Sequence, residues 1–303
     1  MRLRRGAGRG ARSLKPTVRP WSLASRPYEV PQCARLYITY CGTVLRVMQD
    51  SLIYPGAKNR VNPVPPHAQG VQVLKISTSK GNIEAIFLPA TAETAVTQKP
   101  VVIFGHGNGE VIDYWLTAVH GFRERGIGIL LVEYPDYGRS TGLPSEGAIR
   151  AAMDAAYDRI AADPRVDRTR IFGFGQSLGG GAICLLARDR SLRALILLST
   201  FPSLDIFAAD HWAPSFLLHD HFDNLAAVNN LHGPVLVIHG RDDQLIPWKQ
   251  GQRLAAASAN SAFRLYNCGH GCWDPEHLPF WQDVMPFLLA AGIVQRASAP
   301  LGG

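Results

Sequence analysis

The stretch of sequence that decides the fold is residues 171–181, IFGFGQSLGGG. It starts as a short apolar run, passes through Gly-Gln-Ser-Leu-Gly at 175–179, and leads into an apolar segment with helical character at 178–188. Glycines two residues before and after Ser177 leave room for a strained turn that pushes the serine hydroxyl outwards. The helix that follows points the positive end of its dipole at the same place. The pattern predicts a nucleophile at Ser177; the alternative is a glycine-rich turn with an idle serine.

Apolar runs alternate with helical stretches on both sides of this motif. A hairpin is predicted from 71–78 and 82–88, and the later strands are continuous apolar runs, as in a parallel sheet that is covered on both faces. Strands are predicted at 101–104, 127–133, 170–174, 193–198, 234–238 and 263–266. Helices are predicted at 111–125, 145–162, 178–188, 248–257 and 278–290. The fold class is therefore α/β, with a mostly parallel sheet of about eight strands.

The domain organisation follows from composition and spacing. Residues 1–60 are predicted to be a basic, largely unstructured extension with a short helix at 36–54, because Arg, Gly and Pro dominate the beginning. Residues 61–295 are predicted to form one α/β domain. The long interval 201–233 between two strands is predicted to be a small cap over the carboxyl edge of the sheet.

The positive charge is concentrated at the amino terminus. The chain has a net charge of +7, yet residues 1–35 hold nine of its 31 basic side chains and only one acidic side chain, Glu29. The rest of the chain is close to neutral, so no basic face for nucleic acid is expected. The extension itself is open to three interpretations: a contact with an anionic membrane, a targeting leader, or a solvated tail.

Cysteine content and hydropathy bear on location. The five cysteines are unevenly spaced and odd in number, unlike a secreted disulfide framework. No apolar run is long enough for a spanning helix, and the best candidate, 36–45, has only about ten residues. We expect a cytoplasmic protein with an option of membrane association through its extension.

A nucleophilic serine needs a base and an orienting acid, and both are found after later strands. The strand at 234–238 leads into a loop with Asp242 and Asp243, and the strand at 263–266 leads into a loop with His270. Carboxyl ends of parallel strands share one edge of a sheet, where ligands bind. The sequence therefore predicts a serine, an acid and a histidine that meet at this edge.

Residues 50–291 resemble the serine α/β-hydrolases. They are nearest the group of small carboxylesterases, prolyl-oligopeptidase-like hydrolases and membrane-associated acyl-thioesterases and lysophospholipases. The resemblance rests on the G-x-S-x-G motif, on His239-Gly240 with Asp243 and Ile246-Pro247, which matches H-G-x-x-D-x-x-[VI]-P, and on Gly269-His270. It implies an α/β-hydrolase fold, and it selects Asp243 rather than Asp242 as the acid.

The resemblance also implies an oxyanion hole. The segment 104–109, FGHGNG, is similar to the H-G-N segment that follows the third strand in this family. The donors would be the backbone N–H groups of Asn108 and Leu178. His106 would then support the loop rather than react.

No metal or other cofactor is expected. The cap histidines lack the spacing of metal ligands; they are His211, His219, His221 and His232. Cys268 and Cys272 flank His270, but zinc there would consume the base that Ser177 needs, so both cysteines are interpreted as packing residues.

Together these features predict a carboxylesterase for small or medium acyl esters, with Ser177, Asp243 and His270 as catalytic residues and a small-molecule ester as partner. The alternative is an acyl-protein thioesterase, lysophospholipase or lipase acting at a membrane. A peptidase ranks third, because residues 1–70 cannot build the propeller usual in that group. From another class, the chain could be a non-catalytic binding module on a hydrolase scaffold.

Overall fold

The computed structural model describes residues 49–57, 59, 70–91, 98–210 and 218–295, together with Gln32, Leu36, Thr39 and Tyr40. The chain divides into two compact units, residues 1–44 and 45–303. In the first unit the four described residues are helical, and Leu36 and Tyr40 are about two-thirds exposed, at 65% and 69%. In the second unit residues 49–53 are helical and Tyr54 is not. Of the helix predicted at 36–54, residues 37, 38 and 41–48 lie outside the described residues.

The second unit is built on one sheet of eight strands. The strands are β1 Gln72–Thr78, β2 Gly81–Leu88, β3 Lys99–Gly105, β4 Gly128–Val132, β5 Val166–Gln176, β6 Leu195–Leu198, β7 Val235–Gly240 and β8 Ser261–Tyr266. Their order in the sheet is β1-β2-β4-β3-β5-β6-β7-β8. The pairs β1–β2 and β2–β4 are antiparallel, and all later neighbours are parallel. The predicted mostly parallel sheet is confirmed.

Eight described α-helices cover the sheet or connect its strands. They are α1 Trp115–Ala118, α2 His120–Glu124, α3 Glu146–Ala161, α4 Leu178–Asp189, α5 Asp205–Asp210, α6 Asn224–Asn230, α7 Trp248–Ala255 and α8 Phe280–Ala290. Ser145 caps α3 by accepting a hydrogen bond from the Ala148 N–H, as the sequence predicts. Among the described helices, none combines the length and apolar character that crossing a bilayer requires.

The core consists of two apolar layers, one on each face of the sheet. Side chains alternate along the strands, so that in β3 Val101 and Ile103 face one layer while Val102 and Phe104 face the other. Helices α3, α4, α6 and α7 contribute to the first layer, and α1, α2 and α8 to the second. Because both of their faces are buried, the inner strands β4, β6 and β7 are continuous apolar runs, whereas the edge strand β1 alternates between exposed residues and buried or half-buried ones.

One predicted helix has a different form. The segment 111–125 is a 3₁₀ turn at Ile112–Tyr114 followed by α1 and α2, which are separated at Val119. A β-branched residue at 119 and a glycine at 121 weaken a continuous helix. The break lets Phe122 pack edge-on against Trp281 of α8, with ring centres 4.9 Å apart.

The interval 201–233 contains two short helices, α5 and α6, within its described part. Residues 211–217, including His211, lie outside the described residues. Phe201 and Phe222 are buried in the first core layer. This interval is therefore attached to the domain by apolar packing at both of its ends.

Candidate active site

Ser177 sits at the junction of β5 and α4. Its φ is +52°, a conformation that residues with a side chain rarely adopt. The neighbouring backbones pack so closely that a Cβ on Gly175 would collide with the Gly179 carbonyl, and one on Gly179 with the Gly105 carbonyl. Only glycine fits at 175 and 179, which explains the spacing of the motif.

The strained turn is held from the neighbouring strand. Thr200 follows β6, and its buried hydroxyl donates to the Ser177 carbonyl at 2.7 Å. The Ser177 N–H donates to the Leu198 carbonyl at 2.9 Å. The surrounding structure therefore fixes an unfavourable backbone conformation with contacts on both sides of the serine.

Three side chains converge at the carboxyl edge of the sheet. His270 Nε2 lies 3.0 Å from Ser177 Oγ, and His270 Nδ1 lies 2.8 Å from Asp243 Oδ2. Ser177 follows β5, Asp243 follows β7 and His270 follows β8, as predicted from the order of strands and loops. The geometry allows a proton to pass from the hydroxyl to an imidazole that a carboxylate orients.

The structure distinguishes the two adjacent aspartates. Asp242 is exposed, whereas Asp243 is buried. Asp243 Oδ1 accepts hydrogen bonds from the backbone N–H groups of Leu245 and Ile246, at 2.9 and 2.8 Å. Burial alone would raise the pKa of Asp243, but hydrogen bonds from His239, His270 and the Ile246 backbone hold the pKa below its ordinary value. Asp243 is therefore ionised wherever the fold is intact at ordinary pH.

The predicted oxyanion donors lie on two segments that touch. Leu178 begins α4 and Asn108 lies in the loop after β3, and the backbones of Gly105 and Gly179 meet between them. The Asn108 side chain is occupied at both ends: Nδ2 donates to the Ile53 carbonyl at 2.5 Å, and Oδ1 accepts from the Tyr137 hydroxyl at 2.8 Å. The Asn108 amide group is therefore engaged within the protein, and of the donors on this residue it is the backbone N–H that the prediction uses.

A buried pair supports the same loop. His106 Nε2 lies 2.8 Å from Glu133 Oε1, and both side chains are almost fully buried. Glu133 also accepts from the backbone N–H groups of Ile112 and Tyr134, each at 3.2 Å. Burial alone would lower the pKa of His106, but the Glu133 carboxylate, with the Gly107 carbonyl and Glu110, raises the pKa above its ordinary value. The pair ties the loop after β3 to the end of β4.

Comparisons with known proteins give the chain its family. No family model matches it. It is 38% identical over 164 residues to an uncharacterized protein of Mycobacterium tuberculosis, covering 53% of this chain and 57% of that relative, so the chain spans just over half the relative's length. It is 30% identical over 219 residues to the uncharacterized protein YfhR of Escherichia coli, covering 70% of this chain and 75% of YfhR.

A solved structure decides the fold. An α/β hydrolase from Vibrio vulnificus has a TM-score of 0.65 with this chain, at 18% sequence identity, and the match covers 82% of this chain and 93% of the other. The chain belongs to the same family as YfhR and has the α/β-hydrolase fold. At 18% identity the structural match shows the fold alone.

Cys268 and Cys272 pack in or against the second core layer, as the sequence analysis expects. That analysis missed that the two are also joined by a disulfide, with Cα atoms 5.5 Å apart. Cys272 is buried in the second core layer. The five cysteines are few and unevenly spaced, unlike those of a disulfide-rich secreted domain, so the sequence does not indicate that these two are paired. The bond closes a ring around His270.

Other histidines of this chain have local partners or face solvent. His221 Nδ1 lies 2.8 Å from Asp205 Oδ1, and His219 and His232 are exposed. Within the described part of the chain, no cluster of three His, Cys, Asp or Glu side chains could hold a metal ion.

Some residues of the site have no signal in the sequence. Thr200 and Glu133 act through contacts with distant segments. His239 stands out in the sequence only as part of a motif, yet its ring contacts Asp243. A polar residue within a buried apolar strand is the one pattern that could have drawn attention to it.

Proposed function

We propose that this protein is a serine hydrolase that cleaves carboxylic esters through an acyl-enzyme, with small or medium acyl groups as its substrates. The supporting observation is the pair of contacts at His270: 3.0 Å from Nε2 to Ser177 Oγ and 2.8 Å from Nδ1 to Asp243 Oδ2. The fold alone would not support a hydrolase activity, because one fold hosts many activities.

The first half of the reaction forms the acyl-enzyme. Ser177 Oγ attacks the carbonyl carbon while His270 Nε2 accepts the hydroxyl proton, and Asp243 stabilises the resulting imidazolium. The backbone N–H groups of Asn108 and Leu178 donate to the oxyanion of the tetrahedral intermediate. His270 returns the proton to the leaving oxygen, the C–O bond breaks, and an alcohol departs.

The second half consumes water. His270 accepts a proton from a water molecule, which attacks the acyl carbon and forms a second tetrahedral intermediate at the same oxyanion site. Return of the proton to Ser177 Oγ releases a carboxylic acid and restores the enzyme. No cofactor enters either half.

Turnover of p-nitrophenyl acetate and butyrate tests the proposal. Ser177→Ala should lower kcat by about 10³–10⁶, and a fluorophosphonate probe should label Ser177 in the wild type. The exposed Ser191→Ala is the matched control and should keep wild-type turnover. Equal rates for wild type and Ser177→Ala would contradict the proposal and favour a non-catalytic binding module.

The adjacent aspartates provide a second comparison within one loop. Asp243→Asn should lower kcat by about 10⁴, because the imidazole loses its orienting charge. Asp242→Asn should stay within about twofold, since a surface charge has little effect. A larger loss of kcat for Asp242→Asn than for Asp243→Asn would show that Asp243 is not the orienting acid.

A second candidate is an acyl-thioesterase, lysophospholipase or lipase that works at a membrane surface. Its support is the basic amino-terminal segment together with Leu52, which is 76% exposed on the helical segment 49–53. A series of p-nitrophenyl esters from C2 to C16, with and without anionic vesicles, separates the two. Preference for long chains that grows with vesicles would favour the second candidate.

A further inference from the structure

His239 is a second histidine at the acid of the site. It lies near the end of β7, and its ring is completely buried. Nε2 lies 2.8 Å from the Ile246 carbonyl and 3.2 Å from Asp243 Oδ2. Asp243 Oδ2 is therefore shared by two imidazoles, His239 on one side and His270 on the other.

The surroundings of His239 define its protonation state. Both atoms that face Nε2 are acceptors, a carbonyl and a carboxylate, so Nε2 carries a proton. Nδ1 is buried and finds no hydrogen-bond partner in the parts of the chain that the structure describes. A proton on Nδ1 would leave a buried donor unpaired, at substantial cost. The geometry therefore favours the tautomer with its proton on Nε2.

A helix that packs on the ring keeps it in place. Gly251 of α7 lies against His239, and a Cβ at that position would collide with Nδ1. The backbone of α7 therefore closes the Nδ1 side of the ring, away from the Nε2 that faces Asp243. The ring cannot turn away from the carboxylate without displacing the helix.

We propose that His239 is a positioning residue, which holds Asp243 through Oδ2 and limits how strongly this carboxylate binds the proton on His270. The inference rests on the proposed function, since it concerns the same site. Asp243 accepts hydrogen bonds from His270 and from the N–H groups of Leu245 and Ile246. Nε2 of His239, which bonds the Ile246 carbonyl at 2.8 Å, is a further donor group 3.2 Å from Oδ2. These are the charged or titratable groups and donors that face it among the described residues.

Removal of the His239 donor has a predictable sign. The negative charge of Asp243 is then stabilised by one donor fewer and interacts more strongly with protonated His270. Protonated His270 cannot act as the general base, so the acidic limb of the pH profile of kcat/KM should move to higher pH. A purely structural role for His239 would lower activity at every pH alike.

The experiment compares His239→Leu, which has no donor, with His239→Gln, whose amide can donate from a similar distance. His239→Leu should lower kcat by about 10- to 100-fold, with KM changed less than about threefold. Its acidic limb should rise by about half a pH unit, and His239→Gln should recover most of both effects. Circular dichroism checks that each variant is folded. Gly251→Ala pushes the His239 ring without removing its donor and should also lower kcat.

Three outcomes would overturn the inference. One is a folded His239→Leu with wild-type kcat and pH profile, and another is equal losses for the Leu and Gln variants with an unmoved acidic limb. The third comes from long-range ¹H–¹⁵N NMR of the imidazoles: a proton on Nδ1 of His239 with none on Nε2 would exclude a donor that faces Asp243. The NMR result does not depend on turnover, so it separates this inference from failure of the proposed function, in which neither hydrolysis nor labelling of Ser177 would be seen.

Discussion

The Tyr54 hydroxyl donates to Asp220 Oδ2 at 2.6 Å, although 166 residues separate the two in sequence. Both residues are buried. Burial, reinforced by Asp220, raises the pKa of Tyr54, so the phenol remains a donor. The contact joins the segment before the sheet to the segment between β6 and β7.

Tyr54→Phe should destabilise the protein by about 1.5–3 kcal/mol, because a hydrogen bond to a buried carboxylate is lost and the carboxylate stays buried. Urea unfolding measures this. Tyr157→Phe is the control, since Tyr157 makes an exposed bond of 3.1 Å to the Ser191 carbonyl, and it should change stability by less than about 0.5 kcal/mol. Equal losses would mean that the phenol–carboxylate contact contributes nothing of its own.

Thr200→Val should lower kcat about fivefold, equivalent to about 1 kcal/mol at the transition state. Valine keeps the shape of threonine but cannot donate to the Ser177 carbonyl, so the strained turn loses one restraint. Thr200→Ser retains the hydroxyl and should keep most of the activity. A valine variant that is as active as the serine variant would show that the turn does not depend on this bond.

Reduction of the Cys268–Cys272 disulfide should lower kcat severalfold and leave KM nearly unchanged. The bond closes a five-residue ring that contains His270, and opening so short a ring restores chain entropy worth about 2 kcal/mol. Reduction consumes two thiols of a reagent such as glutathione and yields two cysteine thiols and one glutathione disulfide.

The double variant Cys268→Ser, Cys272→Ser should behave like the reduced protein and ignore reductant. Cys184→Ala should still respond, because Cys184 is a buried free thiol that takes no part in the bond. Two free thiols at 268 and 272 in air-oxidised protein, counted by mass after alkylation, would contradict the prediction.

The His106–Glu133 pair should give stability a pH dependence. Folding raises the pKa of His106 above its ordinary 6.5. The pair therefore stabilises the fold fully below pH 6.5, and that stabilisation is lost as pH rises through the folded pKa. The difference in unfolding free energy between wild type and Glu133→Gln should shrink as the pH rises above 6.5 and through the raised pKa of His106. A constant difference over that range would show that His106 does not titrate with the fold.

Much of the fold could be predicted because its signals are local. Apolar runs such as 101–104 and 193–198 are buried on both faces and correspond to β3 and β6. The G-x-S-x-G turn could also be predicted, because only glycine fits at positions 175 and 179 on either side of Ser177. The position of Ser177, Asp243 and His270 at strand ends follows from the same local patterns.

The rest depends on contacts between distant segments. Nothing near Tyr54 indicates that its hydroxyl reaches Asp220. The weak helix formers at 119 and 121 favour a break, but they do not indicate that Phe122 packs against Trp281. The choice of Asp243 rather than Asp242 required a resemblance, because the two are chemically identical neighbours and only burial separates them. Side-chain partnership across the sheet is a property of the assembled fold rather than of a local pattern.

The close backbone contact between Gly105, Gly175 and Gly179 also restricts how this scaffold can be re-engineered. Any residue larger than glycine at these positions would separate the nucleophile from its supporting loop. A library intended to change substrate preference should therefore leave these glycines untouched, and with them Thr200, which restrains Ser177, and Asp243, which contacts His270. The other residues of the segments that follow β6 and β7 are the positions to randomise.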